Sequence, residues 1–565
     1  MSTIDWIVLL LTLGAMIGYG LYKGRIQNGA HSYLLADRKM RWYVVLLGVM
    51  ATQASAITFL SAPGLAYTDG MRFVQNYFGL PIAMVVICVS FIPVFSKLNV
   101  FTAYQYLEER FDRRTRLFTS FLFLLSRGLS TGISIYAPAI ILSTMLNLNI
   151  YITNVLVGGL LIIYTWAGGA KAVAHTQKLQ FLIILGAMAL SGVLVVNRLP
   201  ENIGFTDALY LAGKSGKLNA ITTDFNWHDK YNIWSGVIGG FFLSLSYFGT
   251  DQSQVGRYIT AKDTSESRIG LLLNGLVKIP MQFLILLIGV LVFIYYSFNQ
   301  ADPYYNSKAL NHYQTSEPDK ASREIYRYNS LVNETRSRAA QVIAKRQSGN
   351  ESTLTNTLAL YEDAQRRKLQ LRDSISHYIS EKKYAPDKSD TNYIFLYFVK
   401  NSLPTGVVGL LFAVIILASW GSISAALNSL AASSLIDFSK RKPDDTPEAE
   451  VRKGRNHTLA WGLFCIGVAM FATKMGSLIE AVNILGSLFY GTILGIFLVA
   501  LYLKRANGRI TFVAAVIAEL AVIGVYLTGW VSFLWLNVIG AGLVYLICLV
   551  VVPFYRPKQS SLPAQ

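Results

Sequence analysis

The chain has 565 residues, of which 53% are hydrophobic, 13% aromatic and only 15% charged, with a mean hydropathy of +0.41. A soluble domain carries about a quarter charged residues, so an ordinary soluble protein is excluded. The net charge of +18 would suggest nucleic acid in a soluble chain, but it falls in alternate short loops, which points to a polytopic membrane protein with no nucleic-acid partner.

Apolar runs of roughly 20 residues predict thirteen spans, at about 4–22, 42–67, 75–96, 117–147, 151–170, 179–197, 231–250, 269–298, 403–436, 458–475, 480–503, 509–528 and 532–554. The first is read as a retained span, because Asp5 replaces the basic head of a signal peptide and no small-residue cleavage site precedes Lys23–Arg25. Span two, GVMATQASAITFLSAPG, puts Thr52, Gln53, Ser55, Thr58 and Ser61 in an apolar run and follows them with Pro63 and Gly64, the pattern of a broken helix or of an ordinary kink. Arg127 lies about ten residues into span four, roughly 15 Å deep at about 1.5 Å per residue. Span seven ends in SLSYFGTDQ, where Gly249 and Thr250 weaken the helix, and Lys278 lies at mid-depth in span eight.

Ionisable groups at that depth are functional candidates unless paired. The structural alternative for both cations is a pair with Glu519, the one mid-span carboxylate visible, or hydrogen bonds to helix carbonyls. A polar segment, 300–392, separates spans eight and nine. Its middle reads as exposed helices, with Ile325, Tyr328, Leu331, Leu358, Leu360 and Tyr361 loosely spaced, either a solvated cap or a lid or docking surface. Asn333 and Asn350 match glycosylation sequons. Span nine is threaded with Ser419, Ser422, Ser424, Asn428, Ser429, Ser433 and Ser434. Hydroxyls in hydrocarbon face another helix or a cavity holding something polar. Cys88, Cys465 and Cys548 all fall in apolar segments and imply no disulfide framework.

The basic residues follow the odd-numbered spans: Lys23 to Arg41 after the first, Lys97 to Arg116 after the third, Lys171 and Lys178 after the fifth, Arg257 to Arg268 after the seventh. Lys440 to Arg455, Lys504 to Arg509, and Arg556 with Lys558 continue the series. The positive-inside rule makes these loops cytoplasmic, with the N-terminus outside and the C-terminus inside. The expected organisation is spans one to eight in 1–299, an extracytoplasmic helical insert at 300–392, spans nine to thirteen in 393–556, and a cytoplasmic tail at 557–565. No GxxxxGK[ST] cradle or HExxH occurs and the six histidines are scattered, so an enzyme or nucleotide-driven pump is not indicated. Spans two to six and seven to eleven form two blocks of five, the first over about 42–198 and the second from about 231. An odd-numbered unit that repeats must re-enter from the opposite face, as in secondary transporters.

Ser422 with Leu427-Asn428-Ser429, GGAKAVAHTQKLQ from Gly168, TDQSQVGRY from Thr250 and Gly486-Ser-Leu-Phe-Tyr-Gly491 together resemble the sodium:solute symporter family over about residues 5–555, the polar insert excepted. The resemblance implies an all-α polytopic protein with a LeuT-type inverted five-helix repeat, no cofactor, and sodium as coupling ion, in the plasma or cell inner membrane. It implies a sodium site of the Ala51, Ala54 and Ala418 carbonyls with the Ser422 hydroxyl. It also implies solute contacts at Gln53, Thr58, Ser244, Lys278 and Asn483, with Tyr247 as an inner gate. Gly421 stands where many members carry a serine and Gln177 where many carry an aspartate, which favours one sodium per cycle. The solute implied is a sugar, sugar acid, sialic acid or other carboxylate, with Arg127 a candidate for a bidentate carboxylate contact. The alternatives are a sodium-independent facilitator or a solute sensor.

Overall fold

The computed structural model describes residues 1–24, 40–98, 102–349, 351–385, 387–439 and 446–554, apart from the side chains of residues 21, 23, 24, 168–175, 351, 352 and 447. Outside the described residues lie Arg25, Arg38, Lys39, Lys440 to Lys442, Arg556, Lys558, the tail 557–565 and the sequon asparagine Asn350. The described residues are all-helical, with one isolated bridge between Met40 and Ala261. A helix covers each of the thirteen predicted segments, and eleven stretches are long and apolar enough to cross a membrane.

Helix α1 (Thr3–Gly24) opens the chain. Asp5 near its start accepts from the backbone N–H groups of Gly406 (2.6 Å) and Gly409 (3.3 Å), answering donors at the beginning of a distant helix. Span two is two helices, α2 (Trp42–Gln53) and α3 (Ala56–Asp69). The break lies at Ala54–Ser55, among the carbonyls the family resemblance points to and ahead of Pro63–Gly64. The Gln53 carbonyl draws in the Ser55 N–H (2.9 Å) and the Thr58 hydroxyl (3.4 Å), while Pro63 sits inside α3. Gly64 is instead a packing contact, since a Cβ there would fall on the Thr391 carbonyl.

Helix α4 (Leu80–Val86) continues through a π-helical turn, Ile87–Phe91, to Leu98, and α5 (Arg113–Leu146) follows. The next element, α6 (Ile150–Asn197), bends sharply. Tyr164 Oη and Thr176 Oγ1 are 3.0 Å apart, although a separation of 12 residues along a straight helix corresponds to a rise of ~18 Å. Its two apolar stretches, Ile150–Ala167 and Thr176–Asn197, coincide with the fifth and sixth predicted spans. Span seven is also discontinuous: α7 (Gly240–Thr250) and α8 (Gln252–Tyr258) meet at Asp251, whose backbone is extended. Helix α9 (Thr264–Phe298) leads to the insert, in which α10 (Pro318–Gln347) and α11 (Glu351–Glu381) form a hairpin. One face of that hairpin is packed rather than solvated, with Tyr328 and Tyr361 at most 1% exposed. The chain closes with α12 (Val407–Ser433), α13 (Pro447–Ala469), α14 (Leu478–Tyr502), α15 (Gly508–Thr528) and α16 (Phe533–Val551).

Candidate functional site

The break in α2–α3 frees particular carbonyls. In an unbroken helix the Ala51 carbonyl would accept from Ser55 N–H and the Ala54 carbonyl from Thr58 N–H. Here Ser55 donates to Gln53 and Thr58 to Ser55, so both oxygens lose their helical donors. Helix α12 packs against this break. Its Ser422 hydroxyl turns its proton onto the Ala418 (3.0 Å) and Ser419 (3.1 Å) carbonyls, which leaves the oxygen lone pairs available to a cation. Gln177 of α6 ties the two helices: its Nε2 donates to the Gly421 carbonyl (2.9 Å) and to Thr52 Oγ1 (3.3 Å). A neutral oxygen set of this kind suits a small hard cation without burying a full negative charge.

A central cavity borders the same seam. It is lined by all the solute-contact candidates, Gln53, Thr58, Arg127, Ser244, Lys278 and Asn483, together with Tyr247 and Ser422. Asn76 and Tyr77, which sequence reasoning did not single out, and Tyr490 of the Gly486–Gly491 motif also line it. The Gln53 and Asn76 side-chain oxygens are buried with no hydrogen-bond partner among the described residues. Asn483 spends one N–H on the Ile479 carbonyl at 2.9 Å.

The two cations of the cavity differ. Arg127 has a partner, and it is Asp251 rather than Glu519: Nη2 lies 2.9 Å from the Asp251 carboxylate, with side chains 11% and 0% exposed. Asp251 also accepts from Tyr490 Oη (2.8 Å), Ser253 N (2.8 Å) and Ser253 Oγ (2.6 Å), and Arg127 donates to Ser253 Oγ. The guanidinium lies 5.3 Å from the centre of the Tyr247 ring, and Gln254 donates to the Tyr247 hydroxyl at 2.7 Å. The break in span seven is thus locked to α5 by a buried ion pair at the edge of the cavity, with the Tyr247 ring beside it. The signal was present as the one acid in TDQSQ, but its partner lies 124 positions earlier. Lys278 is different. It is 2% exposed, sits 5.4 Å from the centre of the Tyr77 ring, and has no ion pair or hydrogen bond among the described residues. Glu519, on α15, pairs with no cation among them.

The sequence profile of the Sodium:solute symporter family matches residues 33–317 and 377–518. The chain belongs to that family. As a sodium:solute symporter it is a sodium-coupled carrier of a solute and not an enzyme. It is 25% identical to the sodium/sialic acid symporter NanT of Aliivibrio fischeri, over 99% of this chain and 95% of that protein. It is also 25% identical to the sodium/sialic acid symporter SiaT of Proteus mirabilis, over 99% and 97%. The human sodium/iodide cotransporter is 30% identical over 52% of this chain and 46% of its own length. A solved structure of a substrate-bound, outward-open sodium-coupled sialic acid symporter superposes with a TM-score of 0.75, covering 98% of this chain and 99% of that one at 24% identity, which shows the shared fold.

Proposed function

We propose that this symporter imports a sugar acid of the sialic acid type, with one sodium per cycle, across the plasma or cell inner membrane by alternating access. Sodium bound by Ala51, Ala54, Ala418 and Ser422 draws α2 and α12 together. The solute joins in the adjoining cavity, and Tyr247 closes the inward path until the helices rock. The thirteen predicted segments cross the bilayer, with the insert on the outside.

The observation that carries the acidic substrate is Lys278, a buried ammonium without a counter-ion among the described residues, in the cavity where two amide oxygens are also unanswered. A carboxylate supplies the charge for Lys278, and hydroxyl groups on the same molecule donate to Gln53 and Asn76. Arg127, already paired, positions α8 under the cavity floor. The near full-length match to two sialic acid symporters supports the same class of solute.

The test is uptake into liposomes holding the purified protein, under an inward sodium gradient, with labelled N-acetylneuraminate, galactose and lactate. Sodium-dependent accumulation of the acid is expected, and Lys278→Met should abolish it while sodium binding persists. Uptake unchanged when choline replaces sodium refutes the coupling. Galactose transport indifferent to Lys278→Met refutes the acidic substrate.

A further inference from the structure

A second group of buried cations lies outside the central cavity, beneath the insert. On α11 the residues Tyr361, Gln365, Lys368 and Arg372 recur at helical spacing on one face, and each is at most 5% exposed. That face packs on the transmembrane part of the molecule. Tyr361 shares a hydrogen bond with Ser215 (3.1 Å), and the Arg372 guanidinium lies 5.9 Å from the ring centre of Tyr67 near the end of α3 and 5.1 Å from that of Tyr305. Lys217, also buried, lies beside them, donating to the Thr68 carbonyl with its ammonium 4.9 Å from the Phe293 ring centre.

The positive charge here is only partly answered. Asp390 takes Arg372 with both carboxylate oxygens at 2.8 Å and accepts from Tyr305 N–H at 2.8 Å. Arg372 Nε and both polar atoms of the Gln365 amide are buried without a partner among the described residues, and the Lys368 ammonium has no hydrogen bond or ion pair there. Isolated buried charge and unmet donors of this kind are costly. Lys368 stands three residues from Gln365 and four from Arg372, between them on that helix face, so a small acceptor beside the Lys368 ammonium has the Gln365 amide on one side and the Arg372 guanidinium on the other.

We propose that the insert forms a binding site for a small monoanion, a halide or a carboxylate, held by Lys368, Gln365 and Arg372 against the Tyr67 end of α3. The bound anion fastens the hairpin to the outer half of the broken helix. In its absence burial, with the Arg372 and Lys217 charges, pushes the Lys368 ammonium down to about 7. Asp69 and Asp373 act on Lys217, and Asp390 with the Tyr67, Tyr305 and Tyr328 hydroxyls faces Arg372. The anion needs the protonated lysine, so binding strengthens as pH falls through about 7.

The test is binding of radiolabelled chloride to the purified full-length protein in detergent, with acetate as competitor. Saturable binding is expected, weakened on the order of tenfold (~1.4 kcal/mol) or more in Lys368→Met, restored in Lys368→Arg and weakened in Gln365→Leu. Chloride binding displaced by acetate assigns a general monoanion site, and acetate binding without chloride assigns a carboxylate site. Absence of saturable binding for both, or equal binding in the wild type and a Lys368→Met protein that retains sodium-driven uptake, overturns the proposal. Lys278→Met must leave chloride binding intact, so the result stands apart from the fate of the central-cavity reading.

Discussion

The Arg127–Asp251 pair separates a structural lock from a substrate anchor, and the two single variants and their double reveal which it is. Asp251 is fully buried and holds Arg127 at 2.9 Å while also receiving Tyr490 and Ser253. Removing either partner strands the other charge away from water, a loss of about 3–5 kcal/mol. Asp251→Asn and Arg127→Gln should each lower the thermal unfolding midpoint of the detergent-purified protein by several degrees. Because the double variant leaves no buried charge behind, it should recover most of that loss, and the coupling in the cycle should be on the order of 3 kcal/mol. Uptake should be impaired in both singles, since α8 loses its tether beneath Tyr247. An Arg127→Gln protein with an unchanged midpoint, intact sodium binding and no uptake of the acid would refute the lock and make Arg127 the carboxylate anchor.

Ser422→Ala removes one side-chain oxygen from the sodium set, worth about 1–3 kcal/mol, so half-saturating sodium in a liposome uptake assay should rise about tenfold or more with little change at saturating sodium. Gly289→Ala would place a Cβ on the Pro63 carbonyl, where α9 and α3 touch backbone to backbone. A loss of about 1–3 kcal/mol from overpacking is expected, read as a lower unfolding midpoint. Asp387, beyond α11, is 2% exposed, and burial pushes its carboxyl up to about 6 although Tyr136 and Tyr393 both donate to it. The folded state therefore holds this proton more tightly than the unfolded chain, and stability from this group declines as pH rises from about 4 to about 6. The loss is up to ~3 kcal/mol, and Asp387→Asn should flatten that part of the midpoint-against-pH curve.

The helices were legible because hydrocarbon forces every span to satisfy its own backbone and expose apolar side chains. Even the sharp bend within α6 falls between two of the predicted spans. The position of the break in span two was legible only through the Ala51 and Ala54 carbonyls that the family resemblance implies, not from the helix-breaking residues themselves. Pro63 and Gly64 look like the stronger disruptors, yet a proline inside a packed helix is tolerated in a membrane. The break is set by which donors claim the Gln53 carbonyl, and that choice depends on local geometry. Asp251 was visible as a residue but not as a partner, because an ion pair across two helices leaves no periodic trace. The packed face of α11 was hidden for another reason: its stripe is Gln, Lys and Arg, which reads as solvent-facing until Tyr67 and Asp390 are placed beneath it.

The amide of Gln177 has a thermodynamic corollary. Where it donates to Gly421 and Thr52, it bridges the seam with a neutral group, so this position offers no carboxylate charge for a second cation to neutralise. On the proposed reading of one sodium and one monovalent acid, the loaded carrier crosses with no net charge moved. Voltage then neither drives nor opposes the step. The acid can be concentrated only up to the sodium ratio itself, and a collapse of membrane potential at constant sodium gradient should leave its steady-state accumulation in place.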